Sequence, residues 1–283
     1  MAFTVLDGKL PLTEKCLHYD TANEVPWDIQ KYWHQRYSIF QYYDYDIRMT
    51  DDAWFGVTPE PVATKIAADL AKFSTTQSLT KSTPKKTTII DLFAGAGGNT
   101  IAFALTNHWT HVIGIEKDAS TLACAQHNAE VYGVSHLITW VHWDCFEFLA
   151  EFHSGGLFDE YAELLDVDPK TTTLFMSPPW GGVSYRDHEV FDLSQMQPYS
   201  AQQLHEACRP LEHTLFLPRS SDLNQVAKMM SSSATDDEKL DVVQYCMEGA
   251  SKAMVVYVPE DSTSTATAAQ DDGDEDESQR DEN

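Results

Sequence analysis

The chain has 283 residues, 42% of them hydrophobic, which is enough for one large domain with its own core and a small additional unit. Its formal net charge of −25 argues against a protein that holds long nucleic-acid duplexes, because such proteins need a broad basic surface. No hydrophobic run approaches the ~18 residues of a membrane helix and no signal-peptide pattern opens the chain, so we expect a soluble intracellular protein without membrane contact.

The first part of the chain predicts a helical N-terminal extension. Residues 1–25 show no clear period, whereas residues 26–40 have the pattern of one helix with a proline in its first turn. Aromatic residues are dense in this helix, with Lys31 and Arg36 between them. Two interpretations remain open: a packing helix with a solvated basic face, or a lid that brings rings and cations to a ligand.

A second helix is predicted over residues 59–73, with Thr58 as its N-cap, and residues 74–86 are predicted to form a Ser/Thr/Lys-rich linker. At the other end, residues 260–283 contain ten acids and one Arg, which is the composition of a disordered acidic tail. The predicted division is a poorly defined N-terminus (1–25), a helical extension or lid (26–75), the main domain (76–259) and the acidic tail (260–283).

Strands and helices alternate through the main domain, which predicts an α/β fold. The predicted strands are 88–93, 111–116, 138–143, 173–177, 213–218, 241–248 and 252–258. The predicted helices are 98–106, 118–132, 145–152, 195–208 and 221–230. The turn around Gly249 is too short for a crossover helix, so the last two strands must be antiparallel. We therefore expect a seven-stranded, mostly parallel sheet that ends in an antiparallel hairpin.

A glycine-rich loop, AGAGGNT at 94–100, follows the first of these strands and leads into a helix, as in nucleotide-binding units. Its glycines let the backbone approach a ligand, and the helix N-terminus offers N–H groups. Glu116 ends the next strand at the spacing of a carboxylate that binds a ribose diol. Asp91 stands just before the loop, where it would repel a pyrophosphate, so a ligand with a cation or an amine is favoured.

The second motif is Ser177-Pro178-Pro179-Trp180, directly after a buried strand. Two prolines cannot continue a strand because they lack ladder N–H groups, so Ser177 and Trp180 should lie at the carboxyl edge of the sheet. Open α/β sheets bind ligands at that edge, and a rigid turn with an indole suits a flat ring. Taken alone, the tetrapeptide is explained equally well by a strand that ends beside a buried Trp.

Together these features resemble the class I S-adenosylmethionine-dependent methyltransferases. That resemblance implies that the loop holds the methionine part of the cofactor, Glu116 the ribose, and Asp144, in the WDCF segment 143–146, the adenine amine. The residues assigned to the cofactor in this way are Phe40, Thr58, Asp91, Ala94, Gly95, Gly97, Asn99, Thr100, Glu116, Asp144 and Ser177. The Ser-Pro-Pro-Trp turn resembles the [Asp/Asn/Ser]-Pro-Pro-[Tyr/Phe/Trp] motif of enzymes that methylate amino nitrogens of nucleobases or glutamine.

A narrower resemblance is to the trimethylguanosine synthases. It is carried by KYWHQRY (31–37), WFGVTPE (54–60), DLFAGAGGNT (91–100), NAEVYG (128–133), SPPWGG (177–182) and LPR (217–219). Two departures are Glu116 in place of the commoner Asp and Gly56 in place of a Ser. The resemblance implies methyl transfer from S-adenosylmethionine to the 2-amino group of the 7-methylguanosine cap of small nuclear and nucleolar RNAs, giving 2,2,7-trimethylguanosine. It also implies a monomer in the nucleus and nucleolus, with a cytoplasmic pool.

We expect few residues to carry this chemistry. A positively charged 7-methylguanine ring stacks strongly on an indole, so Trp180 is the predicted platform. Ser177 and the Pro178 carbonyl are predicted to orient the amine, and positioning rather than a strong base is the main contribution. The candidates for the triphosphate of the capped small RNA are Lys31, Arg36 and Arg219. Scattered cysteines predict no metal site, and the acidic tail is expected to contact protein partners.

Two alternatives stay open: an amino-methyltransferase that acts on a base in tRNA, rRNA or DNA, and a non-catalytic cap-binding module. A methyltransferase that holds tRNA, rRNA or DNA should need a broad basic face, which this acidic chain lacks. A non-catalytic module should have lost parts of the cofactor loop, yet its acids and glycines are present.

Overall fold

A computed structural model describes residues 4–5, 8–155, 165, 167–182, 189–231 and 240–261. Its strands are β1 (Thr4–Val5), β2 (Thr88–Asp91), β3 (His111–Glu116), β4 (Ile138–His142), β5 (Thr172–Met176), β6 (His213–Pro218), β7 (Asp241–Met247) and β8 (Ala250–Val258). Its α-helices are α1 (Gln30–Trp33), α2 (Arg36–Ile39), α3 (Ala53–Gly56), α4 (Glu60–Lys81), α5 (Gly98–Leu105), α6 (Ala119–Val131), α7 (Cys145–Ser154), α8 (Ala201–Cys208) and α9 (Leu223–Ser231).

The strands form one sheet in the order β1-β4-β3-β2-β5-β6-β8-β7. The neighbours among β4, β3, β2, β5 and β6 pair in parallel, whereas β1 with β4, β6 with β8 and β8 with β7 pair antiparallel. All seven predicted strands are present, and the terminal hairpin is antiparallel as predicted. Its two turn residues, Glu248 and Gly249, both have positive φ, as a tight right-twisted hairpin requires. The two-residue strand β1 adds an eighth, edge strand.

The position of a ligand site follows from the strand order. β2 pairs with β3 on one side and with β5 on the other. The strands after β2 are thus added first on the β3 side and then, from β5 onward, on the opposite side of β2. In open α/β sheets a crevice forms at the carboxyl ends of two such strands. The glycine-rich loop follows β2 and the Ser-Pro-Pro-Trp turn follows β5, so both motifs lie at this crevice.

Hydrophobic cores lie on both faces of the sheet, as the alternation of β2 shows. Ile89 belongs to a core that contains Phe103 of α5, while Ile90 belongs to a core that contains Phe148 of α7. The first core is covered by α4, α5 and α6, and the second by α7, α8 and α9. In the part of the chain that the structure describes, no helix has the length and hydrophobicity needed to cross a membrane.

The single helix predicted over residues 26–40 is wrong, because two short helices, α1 and α2, occupy this region. The break comes at Gln35. Its backbone N–H bonds to the Tyr32 carbonyl, three residues back, at 2.8 Å, and its side-chain amide donates to the Lys31 carbonyl at 3.0 Å. The side chain therefore takes the acceptor that a continuous α-helix would give to the backbone.

The second predicted helix is longer than expected, because α4 runs to Lys81 instead of ending near residue 73. The prediction of a linker is therefore wrong over residues 74–81, and the predicted boundary at 75/76 falls inside this helix. Hydroxyl groups of Thr75, Thr76 and Thr80 bond to carbonyls four residues earlier, so the helix itself satisfies these polar side chains. Ser74 is buried and bonds to Glu212, which ties the same stretch to the sheet.

The N-terminal extension packs into the same core as the main domain. Trp33 is buried there with Tyr19, whose carbonyl accepts the indole N–H at 2.9 Å. Asn128 of α6 is fully buried and connects the extension to the glycine-rich loop: its amide donates to the carbonyls of Arg48 (2.9 Å) and Ala96 (3.0 Å). Removing residues 1–45 would therefore expose core side chains, so the extension is not a detachable lid.

Candidate active site

A cavity of about 340 Å³ opens at the carboxyl edge of the sheet. Its wall is built by the α3–α4 turn, the glycine-rich loop, the segments after β3 and β4, and the turn after β5. The sequence-predicted residues that line it are Thr58, Ala94, Gly95, Asn99, Glu116, Asp144, Ser177, Pro178 and Trp180. Residues separated by more than a hundred positions in sequence thus share one wall, as the two motifs predicted.

The glycine-rich loop needs glycine at two positions for conformational reasons. Gly95 has φ +54° and Gly97 has φ +94°, a region that residues with a Cβ rarely adopt. Gly97 directly precedes α5, and a Cβ there would lie 3.1 Å from the Ile101 side chain and 3.4 Å from Ala125. Gly97 therefore packs against Ile101 and Ala125, away from the cavity, whereas Gly95 lines the cavity.

Glu116 presents a carboxylate to the cavity at the end of β3. Its two oxygens accept hydrogen bonds from the backbone N–H groups of Gly95 (3.0 Å) and Asp118 (2.9 Å). Burial raises the pKa of Glu116. A cationic or hydroxyl-bearing ligand beside it would offset part of that burial cost.

Asn99 carries the clearest sign of a missing partner in this cavity. Its side-chain N–H donates to the Thr58 hydroxyl at 3.0 Å, but its carbonyl oxygen is buried and has no hydrogen-bond partner among the described residues. A buried acceptor without a donor is costly, so a ligand that donates here would be favoured. Thr58 does not cap α4, contrary to prediction, because its hydroxyl accepts from Asn99 and Pro59 is the N-cap.

Asp91 lies behind the cavity wall and not on it. Its side chain is fully buried and accepts hydrogen bonds from the Thr100 hydroxyl (2.7 Å) and the Phe93 N–H (3.2 Å). Burial raises the pKa of Asp91 to about 7. The expectation that Asp91 and Thr100 face the ligand is therefore corrected, because they pair with each other beneath the loop.

At the opposite end of the wall, Asp144 is held by partners on both carboxylate oxygens. It is the N-cap of α7, where it accepts from the Phe146 N–H at 2.9 Å, and it accepts from the Tyr199 hydroxyl at 3.1 Å. Burial and then the charge of Asp144 raise the pKa of Tyr199 to about 12, so Tyr199 remains a donor. Trp143 and Tyr199 also line the cavity beside Asp144.

Trp180 is partly exposed in the cavity wall and is fixed by Phe216 of β6. Its indole N–H donates to the Phe216 carbonyl at 3.3 Å, and the two rings lie nearly parallel, at 14° with centroids 5.6 Å apart. One face of the indole is therefore against Phe216. Ser177, beside the turn, donates its hydroxyl to the Phe93 carbonyl at 3.4 Å.

Five sequence-predicted residues besides Asp91 and Thr100 lie away from the cavity lining: Phe40, Gly97, Lys31, Arg36 and Arg219. Phe40 is buried against Tyr132 because the extension packs into the core. The Arg36 guanidinium stacks 3.8 Å from the Trp33 ring and 4.3 Å from the Tyr37 ring, so aromatic packing occupies it. Arg219 is exposed and donates to the Ser251 carbonyl at 3.5 Å.

Lys31 is exposed, with its ammonium 4.8 Å from the centre of the Tyr32 ring. Tyr32 meets Phe55 edge to face at 5.6 Å, and Phe55 lines the cavity. Lys31 thus lies one aromatic ring beyond the cavity wall.

Several known proteins are similar to this chain in sequence. A model of the RNA cap guanine-N2 methyltransferase family matches residues 86–261. The trimethylguanosine synthase of Schizosaccharomyces pombe is 33% identical over 249 residues, which are 87% of this chain and 91% of that protein. The trimethylguanosine synthase of Saccharomyces cerevisiae is 34% identical over 202 residues, 70% of this chain and 57% of that protein.

The chain belongs to the RNA cap guanine-N2 methyltransferase family.

As a family member, it is an S-adenosylmethionine-dependent RNA cap guanine-N2 methyltransferase, which confirms the predicted enzyme class and cofactor. The fold is shared more widely. The solved delta-N METTL16 MTase domain superimposes with a TM-score of 0.54 at 14% identity, covering 81% of this chain and 95% of that one. The α/β class I methyltransferase fold predicted from the sequence is thereby confirmed.

The cavity of this cap methyltransferase also contains residues that sequence reasoning missed. Lys117, Phe55, Tyr199 and Phe216 all line it. Phe55 lies within the WFGVTPE segment (54–60) and Lys117 directly follows Glu116, so a local signal stood beside both. No local signal pointed to Tyr199 or Phe216, which reach the cavity only through the folding of the chain. Within the described ranges, no group of three or more His, Cys, Asp or Glu side chains has the geometry of a metal site.

Proposed function

We propose that this enzyme methylates the 2-amino group of the 7-methylguanosine cap of small nuclear and nucleolar RNAs and so forms the 2,2,7-trimethylguanosine cap. The observation that carries the proposal is that a partly exposed indole, packed against Phe216, shares one cavity with Gly95 of the glycine-rich loop and with the carboxylates of Glu116 and Asp144. The names of the two yeast relatives support the product. The RNA-processing role implied by those names supports the nucleus and nucleolus as the proposed places of action, together with a cytoplasmic pool.

We assign S-adenosylmethionine to the part of the cavity wall that contains Gly95, Glu116 and Asp144. Glu116 offers a carboxylate for the ribose hydroxyls, and Asp144 offers one for the adenine amine. The unpartnered Asn99 oxygen suits an ammonium group, and Gly95 lets the backbone lie close to it. When bound, the cofactor supplies an electrophilic methyl group on a sulfonium. Asp91 acts indirectly, since its bonds to Thr100 and Phe93 hold the loop in shape.

Trp180 is the proposed platform for the cap. A 7-methylguanine ring carries a positive charge, so it stacks on an indole more strongly than guanine does. Phe216 holds the indole from one side, which leaves the other side for the base and limits the freedom that binding must remove. A rigid platform of this kind favours transfer by holding the amine at a fixed place.

Positioning is the proposed source of the rate enhancement. Ser177 and Pro178 line the cavity together with Trp180, and we assign the Ser177 hydroxyl and the Pro178 carbonyl as acceptors for the 2-amino group. Three carboxyl groups line the cavity among the described residues: those of Glu116 and Asp144 already hold hydrogen bonds and are assigned to the cofactor, and that of Asp52 is exposed before α3. We therefore propose no general base from this chain, and the proton leaves to water after the amine has been methylated.

Cations around the cavity are proposed to bind the cap triphosphate. Lys31 lies beyond Phe55, and Arg219 follows β6, the strand that carries Phe216. Lys117 lines the cavity itself, between Glu116 and the start of α6, and is added as a candidate. Arg36 is placed behind them, because its guanidinium is stacked between rings. The proposed substrate complex is a monomer of this chain with one capped small RNA.

The test uses the full chain with a 7-methylguanosine-capped small RNA and S-adenosylmethionine. Cap nucleosides released by nuclease digestion are then separated and fragmented in a mass spectrometer. We expect one and then two methyl groups on N2 of the cap guanine, with none on internal bases. Methylation of internal bases would favour the tRNA, rRNA or DNA alternative, and cap binding without any transfer would favour a non-catalytic module.

A further inference from the structure

Three residues at one end of the cavity, Asp144, Phe146 and Tyr199, form a closed set of contacts. The Phe146 backbone N–H donates to Oδ1 of Asp144 at 2.9 Å, and the Tyr199 hydroxyl donates to Oδ2 at 3.1 Å. The rings of Phe146 and Tyr199 pack against each other with their centroids 4.3 Å apart. Each residue therefore contacts the other two. We call these three residues the Asp144 cluster.

Tyr199 is brought to this cluster by the fold, because it lies 55 positions after Asp144 in the chain. The next residue, Ser200, is the N-cap of α8 and forms a reciprocal capping box with Gln203. Met196, three residues before Tyr199, is buried in the core that contains Phe148 of α7. The backbone of Tyr199 is thus held on both sides, which fixes the place of its hydroxyl.

The direction of the bond between Tyr199 and Asp144 follows from charge. An ionised carboxylate can only accept hydrogen bonds, so the Tyr199 hydroxyl must be the donor. Burial and then the charge of Asp144 raise the pKa of Tyr199 to about 12, so the hydroxyl keeps its proton at neutral pH. The Tyr199 hydroxyl therefore remains a donor to Asp144 at neutral pH.

The cluster occupies only part of the Asp144 carboxylate. A carboxylate has about four positions at which it can accept a hydrogen bond, and the cluster fills one on each oxygen. Asp144 is half-buried and lines the cavity, which leaves acceptor positions for a donor inside it. The carboxylate cannot turn about its Cβ–Cγ bond without losing a contact, so it presents these positions in one orientation.

We propose that Tyr199 is a positioning residue that holds Asp144 in the orientation that accepts the 6-amino group of the cofactor's adenine. The inference rests on the proposed use of Asp144 for adenine, and it adds that recognition of the amine depends on a hydroxyl acting through Asp144. Two effects of this hydroxyl oppose each other: it competes for Oδ2, and it removes freedom that the carboxylate would otherwise lose on binding. The second effect is the larger one, because the hydroxyl fills one acceptor position and leaves others on the same oxygen.

The test compares S-adenosylhomocysteine with its analogue that carries hydrogen in place of the 6-amino group. The analogue keeps the purine ring and lacks only the amine donor. Isothermal titration calorimetry with the full chain should show that S-adenosylhomocysteine binds about 10- to 150-fold more tightly, as expected for one hydrogen bond to a charged group. Tyr199→Phe keeps the ring that packs against Phe146 and should lower this preference at least about threefold.

The matched control is Tyr132→Phe. The Tyr132 hydroxyl also donates to a carboxylate, that of Glu60, and neither of these two residues lines the cavity. This variant should keep the wild-type preference for the amine. In Asp144→Ala the preference should be lost, and adding Tyr199→Phe should change it no further, because no carboxylate is left to position. Thermal unfolding checks that each variant is folded.

An unchanged or larger preference in Tyr199→Phe would overturn the proposal, since the hydroxyl would then either play no part in orienting Asp144 or compete with the amine. An equal fall in Tyr132→Phe would overturn it as well. So would a wild-type chain that binds both ligands equally, because Asp144 would then not bind the amine. None of these measurements involves the cap, so the proposal can fail while cap methylation by the wild-type chain stands. Conversely, a chain that shows the predicted preference but methylates no cap would contradict only the proposed function.

Discussion

Replacing Trp180 with Ala should separate binding of the cap from binding of the cofactor. The indole lines the cavity, parallel to Phe216 at 5.6 Å and bonded to its carbonyl at 3.3 Å. Removing it takes away the proposed face for the base. Glu116 and Asp144 keep their own hydrogen-bond partners, so the cofactor part of the wall should remain.

The size of the effect follows from ring stacking. One base stacked on an aromatic side chain contributes about 1–3 kcal/mol, and the positive charge of 7-methylguanine places this contact toward the upper half of that range. Since ~1.4 kcal/mol is a factor of ten, we expect 7-methyl-GTP to bind roughly 30- to 150-fold more weakly to Trp180→Ala. Trp180→Phe retains a smaller ring and should lose only part of this affinity.

Isothermal titration calorimetry with 7-methyl-GTP measures the affinity for the cap. The same measurement with S-adenosylhomocysteine gives the affinity for the cofactor product. The matched control is Trp143→Ala, because Trp143 lines the same cavity beside Asp144 and bonds to Glu147 at 2.6 Å. This variant should bind S-adenosylhomocysteine more weakly and should bind 7-methyl-GTP as the wild type does. The reasoning is refuted if Trp180→Ala binds 7-methyl-GTP like the wild type, or if the two variants lose the same affinities. Thermal unfolding checks that each variant is folded.

Three further predictions concern other parts of the site. Burial raises the pKa of Asp91 to about 7, above the ~3.9 of an unfolded chain, so the native state loses up to ~4 kcal/mol of stability as pH rises from about 4 to 7. In Asp91→Asn urea unfolding should show a smaller fall over this range, and an unchanged slope would contradict the assignment. Phe216→Leu should raise KM for 7-methyl-GTP more than it lowers kcat, with rescue by Phe216→Tyr; equal effects in both variants would count against a positioning role. Lys31→Ala and Arg219→Ala should each weaken 7-methyl-GTP binding by about 1–3 kcal/mol and 7-methylguanosine binding less; Lys15→Ala is the control, and equal losses for both ligands would exclude a phosphate contact.

The sequence predicted the parts of the fold that depend on local pattern. Buried strands show as short apolar runs, and the hairpin at Gly249 shows as a turn too short for a helix. The crevice could be placed because Gly95 and Ser177 follow strands, and the carboxyl ends of parallel strands meet at one edge. Local sequence therefore gave the architecture and the position of the site.

Contacts between distant segments could not be predicted in this way. No local sequence pattern indicates that the Gln35 side chain bonds to the Lys31 carbonyl and so interrupts the helix. None indicates that Thr58 pairs with Asn99 instead of capping α4. Asp91 was expected to face the ligand because of its place before the glycines, yet the Thr100 hydroxyl draws it beneath the loop. Arg36 has the positive charge of a phosphate-binding residue, but in the folded chain its guanidinium stacks on the rings of Trp33 and Tyr37.

The central claim is that the cavity selects a positively charged 7-methylguanine and methylates its 2-amino group. The most direct test compares kcat/KM of the full chain for 7-methyl-GTP and for GTP at saturating S-adenosylmethionine, with the methylated position determined by fragmentation. A cation–π contribution of about 1–2 kcal/mol predicts at least a ~5- to 30-fold preference for 7-methyl-GTP, with the product methylated on N2. Equal turnover of the two nucleotides, or methylation at another atom, would contradict the account.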